Sequence, residues 1–157
     1  MAKEMERRFL VRSDDWLETV QSRSFIVQFY LAVSSERSVR LRISDDREAR
    51  LTLKFGADTA MRDEFEYSVP LKDAREMMPF AIGAVIRKTR HLVGHQGHLY
   101  EIDVFDEPFK GLIIAELETQ DRVPAEKLPA WVGREITGEF RYSNASLALN
   151  GIPEPNS

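Results

Sequence analysis

Charged side chains of one sign recur at a spacing of two residues along this chain: Glu4/Glu6, Arg40/Arg42, Glu64/Glu66, Lys88/Arg90, Glu101/Asp103 and Glu116/Glu118. An apolar or neutral residue separates the members of each pair. Side chains at i and i+2 of a β-strand point to the same face, so each pair sets two like charges side by side on one side of a β-ribbon. That arrangement costs energy unless a group of opposite sign lies between them. A carboxylate pair selects a hard cation, and a basic pair selects an anion such as phosphate. A face that carries both selects a metal-bound polyanion.

The 157 residues suit one domain with a substantial apolar core, spanning 1–157 with a loose tail at 153–157. A net charge of −4 argues against a general nucleic-acid binder, which carries a basic stripe, so any phosphate affinity is local. Cysteine is absent, which excludes disulfides and thiolate chemistry and points to the reducing cytoplasm. The start, Met1-Ala2-Lys3-Glu4, leads into a strand without the apolar run of a signal peptide or membrane span, so no membrane association is expected.

Alternation predicts strands at 4–11, 25–32, 38–44, 50–55, 62–69, 85–93, 98–105 and 112–119. Turns are expected at Asp45-Asp46-Arg47, at 56–59 and at Gly94-His95-Gln96-Gly97. Short helices are expected at 13–21, behind the capping Ser13, and at 71–78, stopped by Pro79; a terminal helix falls within 141–149, capped by Ser143 or Asn144. Eight antiparallel strands with interspersed short helices imply a closed barrel.

Which face points inward decides the function. An ordinary β-domain turns its charges to solvent. Here the charges within a strand are mostly of one sign, whereas a solvated sheet mixes signs to gain cross-strand pairs. The amphipathic helices also need an apolar sheet surface, which the outer wall of a charged barrel supplies. The inward set would hold eight acids (Glu4, Glu6, Glu64, Glu66, Glu101, Asp103, Glu116, Glu118) and six bases (Arg8, Arg40, Arg42, Lys54, Lys88, Arg90). An isolated dry ion costs on the order of tens of kcal/mol, so the bore must be hydrated.

The segments that carry these charges, Glu4-Met5-Glu6-Arg7-Arg8, Val39-Arg40-Leu41-Arg42, Leu51-Thr52-Leu53-Lys54, Asp63-Glu64-Phe65-Glu66, Lys88-Thr89-Arg90, Tyr100-Glu101-Ile102-Asp103 and Ala115-Glu116-Leu117-Glu118, resemble in order the CYTH superfamily of triphosphate tunnel metalloenzymes. The first resembles the family's N-terminal ExExK signature. The resemblance implies a mainly β (α+β) fold, an eight-stranded antiparallel closed barrel with a few short helices packed outside. Its tunnel would take a small-molecule triphosphate with Mg²⁺ or Mn²⁺, and the family's barrels often pair as homodimers.

On that resemblance Glu4, Glu6, Glu116 and Glu118 hold the metal, and Arg8, Arg40, Arg42, Lys54, Lys88 and Arg90 hold phosphate oxygens. Glu64, Glu66, Glu101 and Asp103 remain open between supporting the metal or the bases and pairing as structural ions. Tyr30, on the inward face, is a candidate substrate contact. Two departures stand out: Arg8 replaces the signature lysine and cannot give up its proton, and Phe29 stands where relatives often carry glycine.

The reaction expected is hydrolysis of inorganic tripolyphosphate by in-line attack of water. A class IV adenylate cyclase or thiamine triphosphatase is the enzymatic alternative, and a non-catalytic polyphosphate- or nucleotide-binding module is the alternative of another class. His91, His95 and His98 straddle a glycine turn and read as turn residues rather than a zinc site. The chain has no P-loop lysine motif and no nucleophile elbow.

Overall fold

The computed structural model describes residues 5–57 and 62–154. Within them the chain forms one antiparallel sheet of nine strands: β1 (Met5–Val11), β2 (Val20–Val33), β3 (Arg37–Ser44), β4 (Glu48–Phe55), β5 (Asp63–Val69), β6 (Ile82–His95), β7 (His98–Phe105), β8 (Ile113–Thr119) and β9 (Val132–Glu135). Their spatial order is β5-β4-β3-β2-β6-β7-β8-β1-β9. Hairpins join β2 to β3, β3 to β4, β4 to β5 and β6 to β7. The β3–β4 turn puts Asp45 and Asp46 at φ 53° and 55°, and the β6–β7 turn puts Gln96 and Gly97 at 48° and 80°. The first loop has three residues, 45–47, and the second two; in both, two successive left-handed residues match the twist of the flanking strands, and Asp, Asn and Gly tolerate that conformation best.

The sheet curls without closing, which corrects the expected closed barrel of eight strands. The ninth strand accounts for the difference. Val132–Glu135 lies along β1, with Phe9 opposite Glu135 and Val11 opposite Val132, and so occupies the edge that β5 would need for closure. β5 and β9 are therefore the two edges among the described residues. Curvature still brings β1 towards β4, close enough for Glu6 and Lys54 to influence each other's ionisation.

The pleat sorts the two faces as the spacing requires. Outward side chains form two apolar clusters. Phe9, Tyr100, Ile102, Ala115 and Leu117 pack under Trp16, Trp131 and Val132. Val27, Phe29, Leu41 and Ile43 pack under Ala74 of the helix α1 (Leu71–Met77). Phe29, the bulky replacement, is fully buried in that outer cluster, on the opposite face from Gln28 and Tyr30, so it does not enter the bore. The segment expected as a helix at 13–21 is a 3₁₀ turn at Asp15–Thr19, and β2 begins immediately after it.

The C-terminal helix α2 (Asn144–Asn150) differs from the others in position. Leu147 and Ala148 pack with Tyr30, Ile86, Phe105 and Ile114, side chains on the same face as the charges. α2 therefore covers one end of the concave face rather than the outside wall. Its first turn is capped by Ser143, whose Oγ accepts from the Ser146 N–H at 3.1 Å. Its last turn lies against β6 at Gly83, where φ is +70° and an added Cβ would stand 2.3 Å from the Ala148 carbonyl oxygen. Only a glycine permits that approach.

Candidate active site on the concave face

The strand registers bring the like-charge pairs together. Arg8 lies opposite Glu116, Glu6 opposite Glu118, Glu101 opposite Glu116 and Arg90 opposite Asp103. On the other wall Gln28 lies opposite Arg42, Tyr30 opposite Arg40, and Arg40 opposite Thr52. All share one face by the two-residue period, so acids cluster on β1, β7 and β8 and bases on β3, β4 and β6.

Asp103 is the hub. Its Oδ2 receives the Lys88 Nζ at 2.8 Å, and its two oxygens take the Arg90 Nε and Nη2 at 2.8 and 3.0 Å. Burial alone would push this carboxyl up, but Lys88 and Arg90 outweigh it and hold the group well below the usual carboxylate range. Burial pushes Lys88, which has no exposed surface, down to about 8; Asp103 opposes that, while Arg90 and Arg42 reinforce it. Arg90 is half-buried and its desolvation acts downward, yet its bonds to Asp103 and its proximity to Glu101, 3.2 Å from Nη1, raise its pKa. Arg42 is pushed down to about 10 by burial, then by Arg40 and Arg90. The basic wall is thus a set of partly desolvated cations that repel one another, and an anion between them would relieve that repulsion.

Several donor atoms of these groups lack partners. Arg42 Nε donates to Gln28 Oε1 at 2.9 Å, and Arg40 Nη2 donates to Thr52 Oγ1 at 3.2 Å. The Arg40 Nε and Gln28 Nε2 donors are buried with no hydrogen-bond partner. Arg8 Nε stands 3.3 Å from Glu116 Oε1, an ion pair, but the angle makes no hydrogen bond. Buried donors without acceptors are uncommon and mark a place where an acceptor is missing.

On the acidic side Glu6 is raised by burial and then by Glu116 and Glu101, against Arg8 and Lys54. Together with Glu116 and Glu101, Glu6 offers hard oxygen donors whose repulsion a divalent cation would remove. Glu118 is exposed on the same face. Glu4 lies outside the described residues, and among the described ones no group of three or more His, Asp or Glu side chains stands ready at ligand spacing.

Not every expected residue converges. Glu64 and Glu66 lie exposed on the edge strand β5, with Glu66 paired to Arg50 at 3.1 Å. Lys54 is half-buried opposite Glu64 and lowered by burial and by Arg40. Tyr30 is buried, and burial pushes its hydroxyl pKa up despite Arg40 and Arg42. His91 packs edge-on against Trp16, and His98 pairs with Asp121 at 2.9 Å, both away from the cluster. Alternation already sets Gln28 and Thr52 on the charged face, though their contacts to Arg42 and Arg40 depend on strand pairing. Asn144, whose Oδ1 accepts from Lys88 Nζ at 3.2 Å, comes from a separate element and has no local signal.

A curled antiparallel sheet with acids and bases facing one another on its concave side defines a CYTH-type protein. The CYTH domain profile matches residues 2–152, and the chain belongs to that family. It is 34% identical over 151 residues to a protein of Acetivibrio thermocellus named inorganic triphosphatase, covering 96% of each chain. It is 33% identical over 153 residues to one of Nitrosomonas europaea with the same name, covering 94% of this chain and 97% of that one. The crystal structure of an inorganic triphosphatase superimposes with a TM-score of 0.73 at 30% identity, covering 98% of this chain and 99% of that chain. A putative adenylyl cyclase of Hippeastrum, 14% identical with a TM-score of 0.57 over 75% of this chain and 80% of its own, shares the fold alone.

Proposed function

We propose that the chain is a divalent-metal-dependent phosphoric anhydride hydrolase, with inorganic tripolyphosphate as substrate and water as the nucleophile. The observation that carries this reading is the convergence of partly buried, mutually repelling cations with unpartnered donor atoms opposite a group of carboxylates. Arg40, Arg42 and Arg90, with Arg8, Lys54 and Lys88, hold phosphate oxygens and offset the charge that grows as a phosphoryl group transfers. Arg8 serves as a permanent cation that can grip phosphate through two N–H groups, which fits an electrostatic role rather than a proton-transfer one. Tyr30 stays protonated and offers its hydroxyl to the substrate.

Glu6 and Glu116, with Glu4 and Glu118, hold Mg²⁺ or Mn²⁺, and Glu101 supports them from the neighbouring strand. When bound, the metal neutralises phosphate charge and lowers the pKa of its water. Asp103, spent on Lys88 and Arg90, orients bases and does not bind metal. Glu66 pairs with Arg50 at the rim, where Glu64 lies opposite Lys54. We assign the enzyme to the cytoplasm on its lack of cysteine, and expect the homodimer that the family resemblance implies.

The test is product analysis with tripolyphosphate, ATP and thiamine triphosphate, each with Mg²⁺ or Mn²⁺. Orthophosphate from tripolyphosphate in preference to the others supports the proposal. Cyclic AMP from ATP, or saturable binding without turnover, would replace it with a cyclase or a binding module.

A further inference from the structure

Lys88 is the most enclosed cation of the basic wall, and its surroundings come from four separate elements. Asp103 of β7 accepts from its ammonium at 2.8 Å, and the ring of Phe105 lies 5.3 Å from Nζ. Arg90 of β6 and Arg42 of β3 are the cations close enough to influence it. The fourth element is α2, whose first residue, Asn144, accepts from Nζ through Oδ1 at 3.2 Å. An ammonium carries three N–H donors and no acceptor, so the lysine fixes the orientation of the amide: the oxygen must face it. Asp103 and Asn144, on different elements, both accept from Lys88, and Asp103 is shared with Arg90 whereas Asn144 is not.

The helix that supplies Asn144 is firmly seated on the same strand. Its cap at Ser143 fixes the first turn, and the contact between Gly83 and the Ala148 carbonyl fixes the last. Lys88 and Gly83 both belong to β6, so α2 lies along the strand whose lysine it holds. Leu147, at the third residue after Asn144, is fully buried between them. A side chain carried on an element packed at both ends has little freedom, which is what precise placement of a charge requires.

We propose that Asn144 is a positioning residue for phosphate binding: it fixes the Lys88 ammonium relative to the anion held by Arg42 and Arg90, and so makes the C-terminal helix part of the substrate-binding apparatus. This rests on the function proposed above. The amide accepts a hydrogen bond without adding charge, so it restrains Lys88 while leaving its attraction for phosphate undiminished. A carboxylate in that place would hold the lysine as well, and would keep it protonated to higher pH.

The experiment compares the full-length wild type with Asn144→Leu and Asn144→Asp, measuring KM and kcat for tripolyphosphate across pH together with the melting temperature. Asn144→Leu removes the acceptor at similar volume; KM is expected to rise about tenfold, the effect of one lost bond to a charged group, with kcat little changed. Its alkaline limb moves to lower pH. Asn144→Asp still holds Lys88 but sets a negative charge beside the anion, so its KM falls between those of Asn144→Leu and the wild type at neutral pH, and it moves the limb to higher pH. Opposite shifts of the limb would not follow from a merely structural role.

Unchanged KM and limb in both variants, or a lowered melting temperature with the limb in place, overturns the inference. Should Asn144→Leu fail to fold, Asn144→Asp decides: an upward limb supports the inference, and an unmoved or lowered one overturns it. A wild type that hydrolyses tripolyphosphate with no dependence on residue 144 removes this inference alone. A wild type that neither binds nor hydrolyses it removes the proposed function and this inference with it.

Discussion

The Asp103 carboxylate receives the Lys88 ammonium at 2.8 Å in a place where the two side chains are 3% and 0% exposed. Removing one member of such a pair leaves a charge without a partner in a poorly solvated interior, at a cost of about 3–5 kcal/mol. Asp103→Asn strands both Lys88 and Arg90. We expect a loss of stability in that range, read as a lower urea midpoint at unchanged slope, and a variant as stable as wild type would show that the pair is not the anchor of the basic wall.

The same pair sets a pH dependence. The folded-state pKa of Lys88, about 8, lies below its ordinary 10.5. Between those values the unfolded chain binds the extra proton, so this residue's contribution makes the fold more stable as pH rises from about 8 to about 10.5. Activity runs the other way, because a neutral Lys88 no longer attracts phosphate. The expected profile is a fall in kcat/KM above pH 8 with no accompanying loss of fold by circular dichroism. Asp103 acts at the opposite end: its depressed pKa contributes stability above the unfolded value near 4, lost as pH falls towards the folded one.

Much of this site is legible in the sequence because strand periodicity is a rigid rule. The residues at i and i+2 in Arg40/Arg42, Lys88/Arg90 and Glu101/Asp103 must share a face, and the apolar residues between them show which face is covered. The cap at Ser143 and the turns at Asp45-Asp46 and Gln96-Gly97 are local signals and are where local signals put them. What depends on pairing between distant segments is less accessible. β9 has only four residues, and its partner, β1, is more than a hundred residues away, so nothing near Val132 announces a strand. Leu147 and Ala148 read as an ordinary apolar stripe, and only the tertiary structure shows that they cover the charged face rather than the outer wall.

Burial, and then Glu116, pushes the Glu6 carboxyl up, and both carboxylates are expected to bind metal. Glu6→Gln and Glu116→Gln both preserve shape and should lose metal-dependent turnover by at least about a hundredfold; Glu6→Gln, which removes repulsion, should melt at or above the wild-type temperature, whereas Glu116→Gln also gives up the ion pair to Arg8 and should melt below it. Chelation of the wild type should reproduce the loss and added Mn²⁺ or Mg²⁺ should reverse it. Retained turnover in either variant would take that carboxylate out of the metal site.

The seat of α2 on Gly83 makes a sharp structural prediction. Alanine there would adopt a left-handed backbone at φ +70° and press its Cβ on the Ala148 carbonyl oxygen, 2.3 Å away. Both effects oppose it, at about 1–3 kcal/mol together. Gly83→Ala should lower the melting temperature and increase hydrogen exchange within 144–150 before the rest of the sheet; uniform exchange would contradict the placement of the helix.

The arginines carry affinity more than stability. Arg42 is half-buried beside Arg40 and Arg90, and desolvation, followed by repulsion from both, lowers its pKa to about 10. Arg42→Gln relieves that repulsion, so we expect the fold to tolerate it while KM for tripolyphosphate rises by about tenfold to a hundredfold, the scale of one or two charge-assisted hydrogen bonds.

The central claim is that the concave face binds a chain of three phosphates and cleaves its terminal anhydride with water. Phosphorus NMR of tripolyphosphate incubated with the purified protein and Mg²⁺ or Mn²⁺ tests it most directly. The account predicts orthophosphate and pyrophosphate appearing in equal amounts, stopped by chelator. Tripolyphosphate that stays intact with both metals would contradict it.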